Sequence, residues 1–320
     1  MKILITGGTG FIGSHLCEKY TAEGHTVLCL DNFISGNLMN VRHLLDYNNF
    51  KLVKGDIRDR KLVDRLMQGV DTVLHLAAQI HVDRSYVEPT LTYQVNVMGT
   101  QNVLEAARMH DPKRVVMASS SEVYGSAKYV PIDEKHPLGA PHPYGASKIA
   151  ADRMCNAYTQ TYGMDIAILR MFNTFGPRQR DIGYGGVISI FARRVLSESP
   201  PIIYGNGLQT RDYTYIHDIV RGYDLAVNFG KRIQEPLNMG TGKEVSINDL
   251  ADKIIKLTRK EGKVETVHVE PRIGEVQRLI ADSKRAKELL GWEPKYTLDQ
   301  GLQEFIEWYR KFGFEGRIKL

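Results

Sequence analysis

The chain has 320 residues, 42% hydrophobic and 25% charged, with a formal net charge of +5. That length and apolar content provide for a sizeable core, in two lobes around a cleft. No apolar run approaches the roughly 20 residues that span a bilayer, and no basic, apolar and small-residue leader is present, so no membrane partner and a cytoplasmic location are expected. Lys and Arg form no long block with interleaved aromatics, which argues against nucleic acid as a partner. Cys17, Cys29 and Cys155 are scattered, without CxxC or His pairing, and read as core residues with no metal site.

In chain order, residues 2–6 form a short apolar run suited to a buried parallel strand. Gly7, Gly10 and Gly13 follow at three-residue spacing, and Gly8, Gly10 and Gly13 satisfy G-x-G-x-x-G. Residues 11–20, beginning Phe11-Ile12, continue as a helix whose N-terminus attracts a diphosphate. A second apolar strand, 26–30, ends at Asp31, followed by Asn32, with no basic residue before Arg42. A carboxylate there accepts hydrogen bonds from adenosine ribose hydroxyls and repels a 2′-phosphate, so the cofactor predicted is NAD.

Further strand-like runs lie at 51–53, 72–76, 114–118 and 165–169, with helical patterns between most of them, notably 93–109 and 143–162. This βαβ alternation predicts an α/β fold with a doubly wound parallel (Rossmann) sheet, its ligand crevice at the carboxyl ends of the strands. After Arg170 the alternation breaks. Loop formers fill 173–186; helices are expected at 187–197, 248–259 and 298–310, and strands at 201–204, 236–239 and 264–270. The division expected is an NAD-binding domain over 1–175, to which some later segments return, and a smaller mixed α/β substrate lobe over 176–320.

Tyr144 and Lys148 stand one helical turn apart on one face. A free tyrosine titrates at about 10, too high for a base at neutral pH. A neighbouring ammonium, joined by a bound nicotinamide, favours the phenolate. Ser119, Ser120 and Ser121 follow the strand ending at residue 118 and so reach the ligand end of the sheet, where a hydroxyl can donate to a developing ketone oxygen. Ser120 is the candidate for that task.

Thr6-Gly7-Gly8-Thr9-Gly10-Phe11-Ile12-Gly13, Leu76-Ala77-Ala78, Ser119-Ser120-Ser121-Glu122-Val123-Tyr124-Gly125, Tyr144-x-x-x-Lys148, Gln209-Thr210-Arg211-Asp212-Tyr213 and Pro271-Arg272-Ile273-Gly274-Glu275 together make the chain resemble the extended short-chain dehydrogenase/reductases. Within these it resembles the nucleotide-sugar epimerases, dehydratases and decarboxylases. The likeness covers the whole chain. It implies a tightly held NAD that oxidises the sugar at C4 and is restored within the cycle, with Ser120, Tyr144 and Lys148 as catalytic trio. It places Asp56 and Ile57 at the adenine, and Leu76, Ala77, Ala78 and Asn96 along the cofactor. Asn173, Arg211 and Arg272 fall at the diphosphate of a nucleotide-sugar substrate, with Ser121 and Val187 as further substrate contacts. Homodimers in this family pair through two long helices, here 93–109 and 143–162.

Glu122 bears on the reaction. A 4-epimerase needs no carboxylate there, whereas a 4,6-dehydratase needs a base for the C5 hydrogen once C4 is a ketone. Glu122 and the stretch His81-Val82-Asp83-Arg84-Ser85 resemble dehydratase segments, and 4,6-dehydration is the leading expectation. Where thymidine-diphosphate-glucose dehydratases carry an aspartate, this chain has Ser121. The Ser-Glu pair instead resembles the GDP-mannose dehydratases, and also the UDP-glucuronate decarboxylases, with Arg211 as candidate for the carboxylate, while the Arg211 segment and residues 186–191 resemble 4-epimerases. A non-catalytic NAD-binding regulator is the remaining alternative. His81, His136 and His142 lack metal-ligand spacing and read as solvated or hydrogen-bonded, Asp83 and Arg84 as paired with each other, and Arg178 and Arg180 as either substrate contacts or solvated loop.

Overall fold

Continuous apolar runs, rather than alternating ones, make strands that are buried on both faces. Five of them are β1 (Lys2–Thr6), β2 (Thr26–Asp31), β4 (Thr72–His75), β5 (Arg114–Ser120) and β6 (Ile166–Met171), while β3 (Phe50–Lys54), with Lys51 and Lys54 exposed, forms the edge. The structure, a computed structural model, describes residues 1–182, 185–271 and 276–313. Among these residues the six strands and Leu237–Met239 form one parallel sheet in the order Leu237–Met239, β6, β5, β4, β1, β2, β3. The connections reverse direction between β1 and β4, and the carboxyl ends there open the crevice in which ligands of such sheets bind.

Helices Phe11–Ala22 and Ile216–Asn228 cover one face, packing Leu16, Tyr20, Ile219 and Tyr223 with the buried Trp292. Arg60–Met67, Thr100–His110 and Pro143–Tyr162 cover the other through Val63, Met67, Val103, Leu104, Ala151 and Cys155. Each largely buried side chain of this kind stabilises by about 1.5–3 kcal/mol. The three cysteines are buried and free, as the core role requires.

The helix expected over 93–109 is interrupted. Pro89–Tyr93 leads into a π-helical turn, Gln94–Gly99, and then Thr100–His110. Asn96 causes this. Its side chain turns inward, accepting from the Gln79 amide at 2.7 Å and donating to the Gln79 carbonyl at 2.9 Å and to Ser147 Oγ at 2.9 Å.

Beyond β6 the chain builds a second sheet, in which Thr210–Tyr215 pairs with Glu244–Ser246, Arg278–Leu279 and Asn173–Phe175. Helices Val187–Leu196, Ile247–Thr258 and Leu298–Phe312 close over it around Phe175, Phe191, Ile254 and Phe305. The strand expected over 264–270 shortens to Val267–Val269, beside Ile202–Tyr204, because Val264 instead packs into the helical core.

Candidate active site

A cavity of about 870 Å³ runs along the carboxyl ends of the main sheet and is closed on its far side by the second sheet. At one end lies the glycine turn. A Cβ at Gly13 would stand 2.2 Å from the Gly7 carbonyl oxygen and 2.8 Å from Gly8 Cα, so only glycine lets the helix start against the turn. Gly7, Gly10, Phe11, Ile12 and Gly13 all line the cavity.

Asp31 ends β2 beside this turn. Its Oδ2 accepts the Thr9 amide at 3.0 Å and its Oδ1 the Phe33 amide at 2.8 Å, which aims the carboxylate along the cavity wall beside Asn32 and Ile57. A glycine cradle ending in an oriented, largely buried carboxylate is a donor and acceptor set that fits the diphosphate and ribose of NAD. Leu76, Ala77 and Ala78 continue the wall. Asp56 and Asn96 stand behind it. Asp56 is occupied by Arg58, whose side-chain hydrogen bonds hold its carboxyl down at about 2, and by Asn32 Nδ2 at 2.8 Å. Asn96 is spent on Gln79 and Ser147.

Midway, Ser120, Ser121, Glu122, Tyr144 and Lys148 converge on the cavity. Ser120 caps a short turn, its Oγ accepting the Glu122 amide at 3.2 Å. The electrostatics depart from the sequence expectation for Tyr144. Burial pushes its phenol up to about 12, with a Ser120 hydrogen bond opposing and the Glu122 carboxylate adding to the rise. The Lys148 ammonium donates instead to the Ala118 carbonyl at 2.9 Å, and burial lowers it to about 8 against the pull of Asp152.

His142, read from the sequence as solvated or hydrogen-bonded, takes the second of these roles. It is buried at the head of helix Pro143–Tyr162, and its Nε2 lies 3.1 Å from Glu122 Oε2. His136 is buried too, accepting the Lys128 amide at 2.8 Å. His81, Val82, Asp83 and Arg84 line the cavity, but the expected Asp83–Arg84 pair is replaced by Arg84 with Glu88 at 2.9 Å, one helical turn on. Among the described residues no group of three or more His, Cys, Asp or Glu could hold a metal ion.

At the far end, Asn173, Val187 and Arg211 line the cavity from the second sheet and its first helix. Arg272 lies outside the described residues. Arg178 pairs with Glu18 of helix Phe11–Ala22. Gln209 and Tyr213, from the 209–213 stretch, also line the cavity, as do Gln79 and Thr174, which carry no sequence signal because nothing in their local pattern sets them apart from ordinary loop and strand positions.

The sequence model of the GDP-mannose 4,6 dehydratase family matches residues 4–305. A UDP-glucose 4-epimerase of Mycolicibacterium smegmatis is 36% identical over 315 residues, covering 97% of this chain and 99% of its own. UDP-glucuronic acid decarboxylase 1 of Xenopus tropicalis is also 36% identical, over 97% of this chain and 72% of its own. The crystal structure of the dTDP-glucose 4,6-dehydratase DesIV of Streptomyces venezuelae, with NAD bound, superposes with a TM-score of 0.92 at 33% identity over 98% of each chain. No helix among the described residues is long and apolar enough to cross a membrane. Sequence likeness along the whole length, a shared fold and a cavity built for the same cofactor place the chain among the NAD-dependent enzymes of the nucleotide-sugar epimerase and dehydratase family, within the extended short-chain dehydrogenase/reductases.

Proposed function

We propose that the enzyme catalyses 4,6-dehydration of a nucleotide-diphosphate hexose. The observation that carries this reading is the Glu122 carboxylate, which faces the same cavity as Ser120 and Tyr144 although C4 oxidation alone requires no such group. A bound NAD would supply the redox chemistry, taking up hydride from C4 and delivering it to C6 after water has left, while C5 regains a proton. Tyr144 takes the C4 hydroxyl proton while Ser120 donates to that oxygen, and Lys148 orients the pair. The C5 hydrogen, acidified by the C4 carbonyl, passes to Glu122. Its electron pair forms the C5–C6 double bond, the C6–O bond breaks, and the Glu122 carboxyl returns the proton so that water departs. Ser121, standing where an acidic residue could have protonated the leaving group, leaves that step to Glu122.

In this reading residues 1–175 together with Leu237–Met239 hold NAD through Gly7, Gly10, Gly13 and Asp31. Residues 176–320 supply Val187, Arg211 and Arg272, which join Asn173 at the sugar nucleotide. Exposed Tyr93, Met98 and Tyr162, on the two long helical stretches, support a homodimer. A second reading, 4-epimerisation with Glu122 a bystander, is favoured by the 40% identity to a putative UDP-glucose 4-epimerase of Methanocaldococcus jannaschii, against 36% to the decarboxylase.

Product mass after incubation with UDP-, GDP-, dTDP- and CDP-hexoses and UDP-glucuronate tests the proposal. Loss of water is expected. An unchanged mass with a new isomer replaces dehydration by epimerisation, and loss of carbon dioxide replaces it by decarboxylation with Arg211 at the carboxylate.

A further inference from the structure

Twenty residues separate His142 from Glu122 in sequence, yet the imidazole bridges Glu122 and the helix that carries Tyr144 and Lys148. His142 is the N-cap of Pro143–Tyr162, and its Nδ1 accepts the Gly145 amide at 3.0 Å. An accepting Nδ1 carries no proton, so the proton of a neutral ring sits on Nε2. That nitrogen faces Glu122 Oε2 at 3.1 Å and is therefore a donor to it. The ring lies nearly parallel to Tyr144, with 6.1 Å between centroids and 10° between planes, and Tyr86 meets its edge at 6.3 Å. Only 5% of the residue is exposed, so the imidazole has no freedom to turn away.

From this arrangement we infer that His142 is a positioning residue that holds Glu122 for proton abstraction at the sugar. Helix capping by itself asks for nothing so large, because Ser, Thr, Asp or Asn satisfies the same amide. The imidazole alone also reaches the carboxylate. By occupying Oε2 it leaves Oε1, which takes no hydrogen bond from the chain's described residues, as the oxygen presented to the substrate. The same ring couples two steps in space, with Tyr144 on its face serving C4 and Glu122 on its edge serving C5. Elimination needs an oxygen held within a fraction of an ångström of the C5 hydrogen, and a carboxylate left to rotate loses that alignment.

The inference rests on the dehydration reading, and His142→Ser separates the two. Serine keeps the cap on Gly145 but is too short to reach Glu122. The holoenzyme of this variant is expected to stay cooperatively folded, with a somewhat lower melting temperature from the lost ring packing, and to show the rise in near-ultraviolet absorbance that reports C4 oxidation. Its kcat for water loss is expected to fall about tenfold or more with KM little changed. Nitrogen-15 NMR of the wild-type ring at pH 8 should show the Nε2–H tautomer, and a Glu122→Gln variant should perturb the Nε2 resonance. Wild-type elimination that His142→Ser leaves unchanged, or an Nδ1–H tautomer in the wild type, overturns the positioning role alone. A wild-type enzyme that removes no water from any of the sugar nucleotides overturns the dehydration reading and this role with it.

Discussion

Arg170 and Asp152 meet beneath the site, Nε to Oδ2 at 2.9 Å, with side chains 4% and 0% exposed. The pair joins β6 to helix Pro143–Tyr162, and Arg170 Nη1 continues to Tyr124 Oη at 3.0 Å, which donates to Asn238 Oδ1 at 2.6 Å. Removing one partner leaves a buried uncompensated charge. Asp152→Ala is expected to cost about 3–5 kcal/mol in chemical denaturation, and an apolar replacement of both residues to recover much of that loss.

The same aspartate bears on Lys148, one turn earlier. Burial lowers the ammonium to about 8, and the Asp152 charge opposes that fall. Activity that depends on the charged lysine therefore declines as pH rises through about 8. In Asp152→Asn the opposing charge is gone, so the alkaline limb of kcat/KM should move to lower pH. An unshifted limb would show that Lys148 does not govern it.

Tyr144 provides a direct optical test. Burial holds its phenol up at about 12, with the Ser120 hydrogen bond opposing. The difference in tyrosinate absorbance between wild type and Tyr144→Phe should show no ionisation of this residue at neutral pH. Loading NAD brings positive charge into the cavity and should move that ionisation downward.

The cofactor end can be probed without touching the chemistry. A Cβ at Gly36 would lie 2.0 Å from Thr9 Oγ1 and 3.0 Å from both carboxylate oxygens of Asp31. Gly36→Ala should displace Asp31 and weaken NAD binding by calorimetry, on the order of tenfold, as should Asp31→Ala. Neither change should alter the spectroscopic signature of the folded protein.

His75 contributes to acid lability. Its ring is buried between Thr6 Oγ1 at 2.7 Å and Thr100 Oγ1 at 3.0 Å, and burial, aided by the Lys148 charge, lowers it from 6.5 to about 3. The unfolded chain takes up this proton first. Stability is therefore lost as pH falls from 6.5 toward 3, by on the order of a few kcal/mol in total. His75→Gln should show a shallower decline of denaturation free energy across that window.

What the sequence determined by itself was the machinery built from neighbours in the chain. The strand, glycine turn and helix at 2–22 and the Tyr144–Lys148 spacing follow from local periodicity, and Asp31 is legible because it ends the next strand. Long-range packing decided the rest. Asn96 breaks its helix because Gln79 and Ser147 satisfy its amide, and Leu237–Met239 joins β6 because the chain returns to the first sheet after building the second. Lys148 turns to the Ala118 carbonyl, and burial raises Tyr144 where the Tyr–Lys spacing alone points to a lowered phenol. His142 and Glu122 meet only because a helix N-terminus is pressed against the end of β5. Burial and hydrogen-bond partnership belong to the folded surroundings of a residue, and a linear pattern carries no record of which distant group will supply them.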